Sequence, residues 1–227
     1  LRLGLVGDAR YLNKVWRESK LVNGLHVNAL CTKCASVMEE QAIEEIENVS
    51  DNLDSILDRV DAVYLRSFPS DHYRQIKDLL NAGKHVLCES PLTLEREKTE
   101  ELLRIAASKK LILMEAIKTA YATAYSRLLL MLKGGKIGRV VAVDAVCTSI
   151  KEKIKSGEWR CIHEWGPTAL LPIFQILGTE YKNCSIVSHI RENGNDSFSQ
   201  VNILFDKAVG SIKIGDGVKS EGSLIIS

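Results

Sequence analysis

Lys118 follows Glu115-Ala116, where an apolar run gives way to a helical one. An amine held at such a place, partly withdrawn from water, can serve as an acid or a base. Tyr121 stands three residues further on, one helical turn away, so the two side chains share a face. His163 adjoins Glu164, and an imidazole with an orienting carboxylate is a common proton-handling pair. Arg160 lies just before this pair and Thr168 just after it; with Tyr121 they are read as substrate contacts. Each also has a plain reading: a solvated lysine, tyrosines that only pack (Tyr121 with Tyr125), a loop histidine.

A second group could hold a nucleotide. The first apolar run ends in Gly-Leu-Val-Gly7-Asp-Ala9-Arg10-Tyr-Leu12. In the dinucleotide fingerprint Gly-x-Gly-x-x-Gly, the glycines permit the tight turn, the approach to the pyrophosphate and close helix packing. Only Gly7 matches. Ala9 adds one methyl at the second position, and Leu12 at the third should force the helix off the strand or require repacking. The helix N-terminus still attracts an anion, and Arg10 could add charge. After the second apolar run stand Thr32 and Lys33, where NAD binders usually place an acid for the ribose hydroxyls. A hydroxyl beside a cation suits a 2′-phosphate, so NADP is expected over NAD. Cys31-x-x-Cys34 is a lone pair without a second, so no metal site is expected.

The elements that must position these groups follow from periodicity. Short apolar runs at Arg2–Gly7, His26–Cys31, Ala62–Arg66, His85–Cys88 and Leu111–Met114 read as strands. Helical patterns lie between them at Tyr11–Lys20, Glu39–Glu47, Asp71–Asn81 and Glu95–Lys109. Ser70 or Asp71 suits an N-cap and Gly83 a C′ position. Leu102, Leu103, Ile105, Ala106 and Ala107 should form a buried stripe. Fully apolar strands alternating with helices predict a doubly wound parallel α/β sheet, Rossmann-like, over residues 1–117.

Residues 118–227 read differently. A helix is expected over Thr119–Lys133 and another over Pro167–Leu177. Strand-like runs surround the second, with hairpin breaks at Asn193-Gly194-Asn195 and Asp206-Lys207. This predicts an α+β domain with an open, largely antiparallel sheet. The chain opens on a strand and stops inside an apolar run, so it reads as part of a longer polypeptide.

The run DAVYLRSFPSDHYRQIKDLLNAGKHVLCESPLTLE resembles the glucose–fructose oxidoreductase / inositol dehydrogenase (Gfo/Idh/MocA-like) family. LILMEA followed by GGKIGRVVAVDA is similar to its domain junction, and WGPTALLPIFQILG to its second-domain helix. The resemblance implies a Rossmann domain, a second domain whose sheet supports homo-oligomers, and NAD(P)-dependent hydride transfer on sugar-like or cyclitol-like substrates. It places Ser67, Phe68 and His72 beside the cofactor, with Glu89 and Ser90. Ser90 replaces the family's usual lysine between Glu89 and Pro91. Glu164-Trp165-Gly166-Pro167-Thr168 stands for Asp-x-Gly-x-His, so threonine replaces the usual acid/base histidine. A positioned acid/base group is worth ~10²–10⁴ in rate. The chain is therefore either an oxidoreductase in which Lys118 or His163 handles the proton, with Glu164 and Ser90 orienting, or a catalytically silent module that senses or scaffolds. Trp159 and Trp165 could stack on a sugar or fill a domain interface.

Composition closes off other classes. A net charge of +1 argues against nucleic-acid partners, and no apolar run reaches membrane-span length. Six cysteines in a chain this size read as reduced thiols of a cytoplasmic protein rather than a disulfide scaffold.

Overall fold

The computed structural model describes residues 1–150 and 160–227; Trp159 lies outside them. Two compact units result, Leu1–Ala116 and Ile117–Ser227. The boundary expected after residue 117 thus falls one residue earlier.

The first unit runs β1 (Arg2–Gly7), α1 (Ala9–Ser19), β2 (His26–Cys31), α2 (Glu40–Glu45), β3 (Asn48–Ser50), β4 (Ala62–Arg66), α3 (Pro69–Asn81), β5 (His85–Cys88), α4 (Arg96–Ser108) and β6 (Leu113–Glu115). Its six-stranded sheet has the order β3-β2-β1-β4-β5-β6, and every pair is parallel. Strand order reverses beside β1, which opens a crevice at the C-terminal ends of β1 and β4. Side chains alternate across the strands. Leu3 and Leu5 pack with Ala9, Leu12, Trp16 and Tyr64 on the α1 side. Val6, Val63 and Leu65 pack with Ile76, Leu79 and Leu102 on the other.

Leu12 corrects an expectation. It is fully buried in the α1-side cluster, so a leucine at the third fingerprint position is absorbed into the core. The 9, 12, 16 spacing of Ala9, Leu12 and Trp16 makes one buried helix face. The cap of α3 is also corrected: Phe68 is the N-cap and Pro69 the first helical residue, a position that needs no N–H donor. On α4 only Leu102 and Ala106 are buried, and Leu103 is exposed. β6 starts two residues late. The Leu111 N–H is taken by Ala106 O at 2.8 Å, and the Ile112 N–H by His85 Nδ1 at 2.9 Å.

The second unit begins with a 3₁₀ turn, Lys118–Tyr121, then α5 (Thr123–Lys133), β7 (Ala142–Ser149), α6 (Cys161–Leu177), β8 (Asn183–Ile190), β9 (Asp196–Leu204), β10 (Val209–Asp216) and β11 (Ser223–Ile226). The single helix expected over 119–133 is broken at Ala122, whose ψ of 131° is extended. The five-stranded sheet has the order β11-β7-β10-β9-β8. β7 and β10 are parallel and the other pairs antiparallel. Ala169 and Ile173 of α6 cover one face, against Val143, Val201, Ile203, Ile212 and Ile214.

α6 starts six residues before the expected Pro167. Its first turn is held from another strand. Asp196 Oδ1 accepts the Cys161 N–H at 2.7 Å, and Oδ2 accepts the Ile162 N–H at 3.0 Å and the Ser199 hydroxyl at 3.1 Å. Each such bond to a charged acceptor is worth about 1.5–3 kcal/mol. This is how a helix with prolines at 167 and 172 keeps a first turn of low intrinsic propensity.

Candidate functional site

At the crevice, Gly7 adopts φ +123°. A Cβ there would lie 1.8 Å from Arg66 O, so the turn admits only glycine. The Asp8 N–H donates to Arg66 O at 2.8 Å, which locks β1 to β4 at the strand ends. Asp8 caps α1, its carboxylate accepting the Arg10 N–H at 3.0 Å. Ala9 is buried, so its methyl faces the core and leaves the loop surface open. Arg10 is exposed. At the end of β2, Thr32 is buried and its hydroxyl accepts the Cys34 N–H at 3.3 Å, while Lys33 is exposed. Burial, and next the Asp51 charge, push the Cys31 thiol up to about 11, so it is no ready thiolate. Among the described residues no group of three His, Cys, Asp or Glu could hold a metal ion.

The ends of β4, β5 and β6 carry the polar groups. Glu89 Oε1 accepts the Tyr11 hydroxyl at 2.6 Å and also the Tyr64 hydroxyl. Burial and this carboxylate hold the Tyr64 phenol well above its usual range. Arg66 lies with its guanidinium carbon 5.1 Å from the Tyr11 ring centre. The Ser67 hydroxyl donates to Gln75 Oε1. Phe68 is exposed. Ser90 follows Glu89, and the Ser90–Pro91 peptide is cis. Burial raises the Glu115 pKa, opposed by the neighbouring Ser90 hydroxyl and the Leu92 backbone. Yet Ser90 Oγ and Glu115 Oε1 complete no hydrogen bond of good geometry, and neither does Arg66 Nε; all three atoms are buried.

His72, expected beside the cofactor, is held inside the protein. It is fully buried, with Nδ1 2.8 Å from Pro91 O and Nε2 3.2 Å from Ser67 O. Burial lowers its pKa. The neutral ring has one N–H to donate, and the shorter contact, to Pro91 O, holds it against the loop after β5.

The other expected site residues belong to the second unit. Lys118 and Tyr121 bracket the 3₁₀ turn and are both exposed; residues three apart eclipse in that geometry. The burial invoked for Lys118 is absent. The Tyr125 hydroxyl donates to Gln175 Oε1 at 2.6 Å, a packing role. Arg160, His163, Glu164 and Thr168 lie along the first turns of α6 and its cap. His163 Nδ1 accepts the Arg160 N–H at 3.2 Å. That leaves the neutral ring's proton on Nε2. Trp165 Nε1 donates to Asp216 Oδ1 at 3.1 Å, which anchors this element.

Sequence reasoning missed Tyr11, Tyr64, Arg66 and Glu115. A usable signal was present for Arg66: a charge at the C-terminal end of an otherwise apolar parallel strand. A groove of about 810 Å³ lined by Arg2, Lys20, His26 and Glu45 opens at the opposite, N-terminal end of β1 and β2. Its Lys20 is paired with Glu45 and lies over Trp16, and it has no relation to this chemistry.

The residues present fit a dinucleotide. The Gly7 turn, the inward Ala9 and the buried polar atoms at three adjacent strand ends form an edge that lacks only its ligand's hydrogen bonds. Asp8 alone opposes it, by placing a carboxylate at the helix N-terminus.

A doubly wound sheet with this edge defines a nucleotide-binding oxidoreductase class. Residues 1–117 match the family described as "Oxidoreductase family, NAD-binding Rossmann fold", and the chain belongs to it. An uncharacterised oxidoreductase of Schizosaccharomyces pombe is 29% identical over 144 residues, 62% of this chain and 39% of that protein. The scyllo-inositol 2-dehydrogenase (NADP(+)) of Bacillus subtilis is 36% identical over 101 residues, 44% of this chain and 31% of that protein. The match thus spans less than half the length of either relative. A 3-ketoreductase from Actinomadura kijaniata, solved in complex with TDP-benzene and NADP, has a TM-score of 0.83 at 23% identity, over 99% of this chain and 72% of its own. At that identity the likeness is one of fold.

Among the described residues no helix is long and apolar enough to cross a membrane.

Proposed function

We propose that this chain binds NADP and transfers a hydride between the nicotinamide and a hydroxyl or carbonyl carbon of a sugar-like or cyclitol-like substrate. The observation that carries this reading is the row of buried, unsatisfied polar atoms at the ends of β4, β5 and β6. Buried polar groups in a folded protein almost always have partners, so this edge is built for a ligand. The relative that acts on scyllo-inositol with NADP+ supports the cofactor and substrate class.

The loop at Gly7–Arg10 would hold the diphosphate, Thr32 and Lys33 the 2′-phosphate, and Ser67, Glu89 and Ser90 the nicotinamide half. The nicotinamide, when bound, supplies or accepts the hydride. Lys118 would manage the proton. His163 is the alternative proton carrier, with Glu164 orienting, and Tyr121, Arg160 and Thr168 would be substrate contacts.

The test is direct. NADPH should quench tryptophan fluorescence and raise the melting temperature, with turnover sought over a panel of ketoses, aldoses and inososes. No response to either nicotinamide at millimolar concentration would sink the reading. Binding without turnover would favour the silent module, which the serine at 90 and threonine at 168 support. Self-association through the second sheet is part of the proposal. β8 leaves Ile186, Val187 and Ile190 in solvent, and a monomer mass in sedimentation at micromolar concentration would remove it.

A further inference from the structure

We propose that Arg66 is a phosphate anchor at the mouth of the β1–β4 crevice, taking an oxygen of the dinucleotide's diphosphate. The inference rests on the cofactor reading above and assigns a residue that neither the fingerprint glycines nor the strand pattern requires.

Arg66 ends β4 and pairs with Gly7 across the sheet. Its backbone is occupied, its carbonyl accepting the Asp8 N–H at 2.8 Å. Its side chain is not. Tyr64 and Arg66 are two apart on a strand and share a face, and Tyr64 packs in the α1-side cluster. The guanidinium therefore lies beside the first turn of α1, over the Tyr11 ring. Tyr11 is itself fixed, its hydroxyl donating to Glu89 at 2.6 Å. This chain of contacts, Glu89 to Tyr11 to Arg66, is a support for a cation.

What the cation lacks is an acceptor. Arg66 is half-buried, its Nε is buried without a partner, and among the described residues no carboxylate pairs with it. A guanidinium partly withdrawn from water needs an anion. Its planar fork matches phosphate oxygens.

The adjoining loop explains the need. The second fingerprint glycine is Ala9, and Asp8 places a carboxylate at the helix N-terminus, where it repels a diphosphate. An extra cation one strand away offsets both.

The experiment is calorimetric titration of NADPH and of inorganic pyrophosphate into the wild type, Arg66→Ala, Arg66→Lys and Asp8→Asn, each checked by thermal melting. Arg66→Ala should weaken NADPH binding about 10- to 100-fold. Arg66→Lys should recover part of the loss, because a point charge lacks the fork. Asp8→Asn should tighten binding, and pyrophosphate should compete with NADPH wherever Arg66 is kept and only weakly in Arg66→Ala. If Arg66→Ala binds NADPH as the wild type does, the anchor is refuted while the cofactor reading survives. If the wild type binds no nicotinamide yet binds pyrophosphate through Arg66, the cofactor reading fails and the phosphate anchor stands. If the wild type binds neither probe, both fail. Should Arg66→Ala not fold, the lysine and Asp8 variants decide alone: unchanged affinity in both overturns the proposal.

Discussion

A Gly7→Ala variant will lose its folded first unit, and with it any nucleotide binding. The new Cβ would lie 1.8 Å from Arg66 O, 2.3 Å from Arg66 C and 2.8 Å from Ser67 N. These are backbone atoms of the adjacent strand, which cannot swing aside as a side chain can. Relief requires parting β1 from β4 at the point where Asp8 N–H and Arg66 O are bonded. The positive φ of 123° adds its own penalty. Together these place the variant in the rare class of substitutions costing more than about 4–5 kcal/mol, a large part of a domain's total stability. Urea unfolding followed by circular dichroism measures it. Gly83→Ala is the control: φ there is +76°, but nothing lies within 4 Å of the added Cβ, so about 1–2 kcal/mol is expected. A Gly7→Ala protein that unfolds at the wild-type urea concentration would refute the clash.

Lys118→Ala should lower kcat by ~10²–10⁴, the usual worth of a positioned acid/base group, with NADPH affinity unchanged. The other candidate groups are poorer proton carriers. Ser90 carries no cation, Thr168 is no acid near neutral pH, and His163 Nδ1 is engaged by the Arg160 N–H. Lys118 stands on an exposed turn, so its removal leaves no cavity. The readout is steady-state reduction of whichever carbonyl substrate the panel identifies, alongside fluorescence titration of NADPH. Lys118→Arg should retain part of the rate, since it keeps a donor cation. Unchanged kcat in Lys118→Ala would remove this residue from the mechanism.

Much of the first unit was legible because its signal is compositional. β1, β2, β4 and β5 occupy the expected spans. Strands buried on both faces must be apolar throughout, and such runs stand out against charged helices. β3 was not legible: Asn48–Ser50 is short and polar, and it forms only as an edge beside β2. The site followed the same division. That Gly7, Thr32, Ser67, Glu89 and Ser90 lie at or just past strand ends was legible, because those ends follow from the apolar runs. The burial of His72 was not legible, because its sequence neighbours do not reveal the Pro91 carbonyl that holds it.

The chain by itself determined that a parallel α/β sheet precedes a largely antiparallel one, and where β1, β2, β4 and β5 run. Those follow from burial, which is non-directional and set by the local run of apolar side chains. Only the tertiary structure decided the pairings. Tyr11 meets Glu89 across 78 residues, and Asp196 caps α6 across 35. Arg66 is left with a ring and no anion. A hydrogen bond needs a donor and acceptor within about 3 Å and nearly in line, a condition that local pattern cannot set and that the folded backbone does.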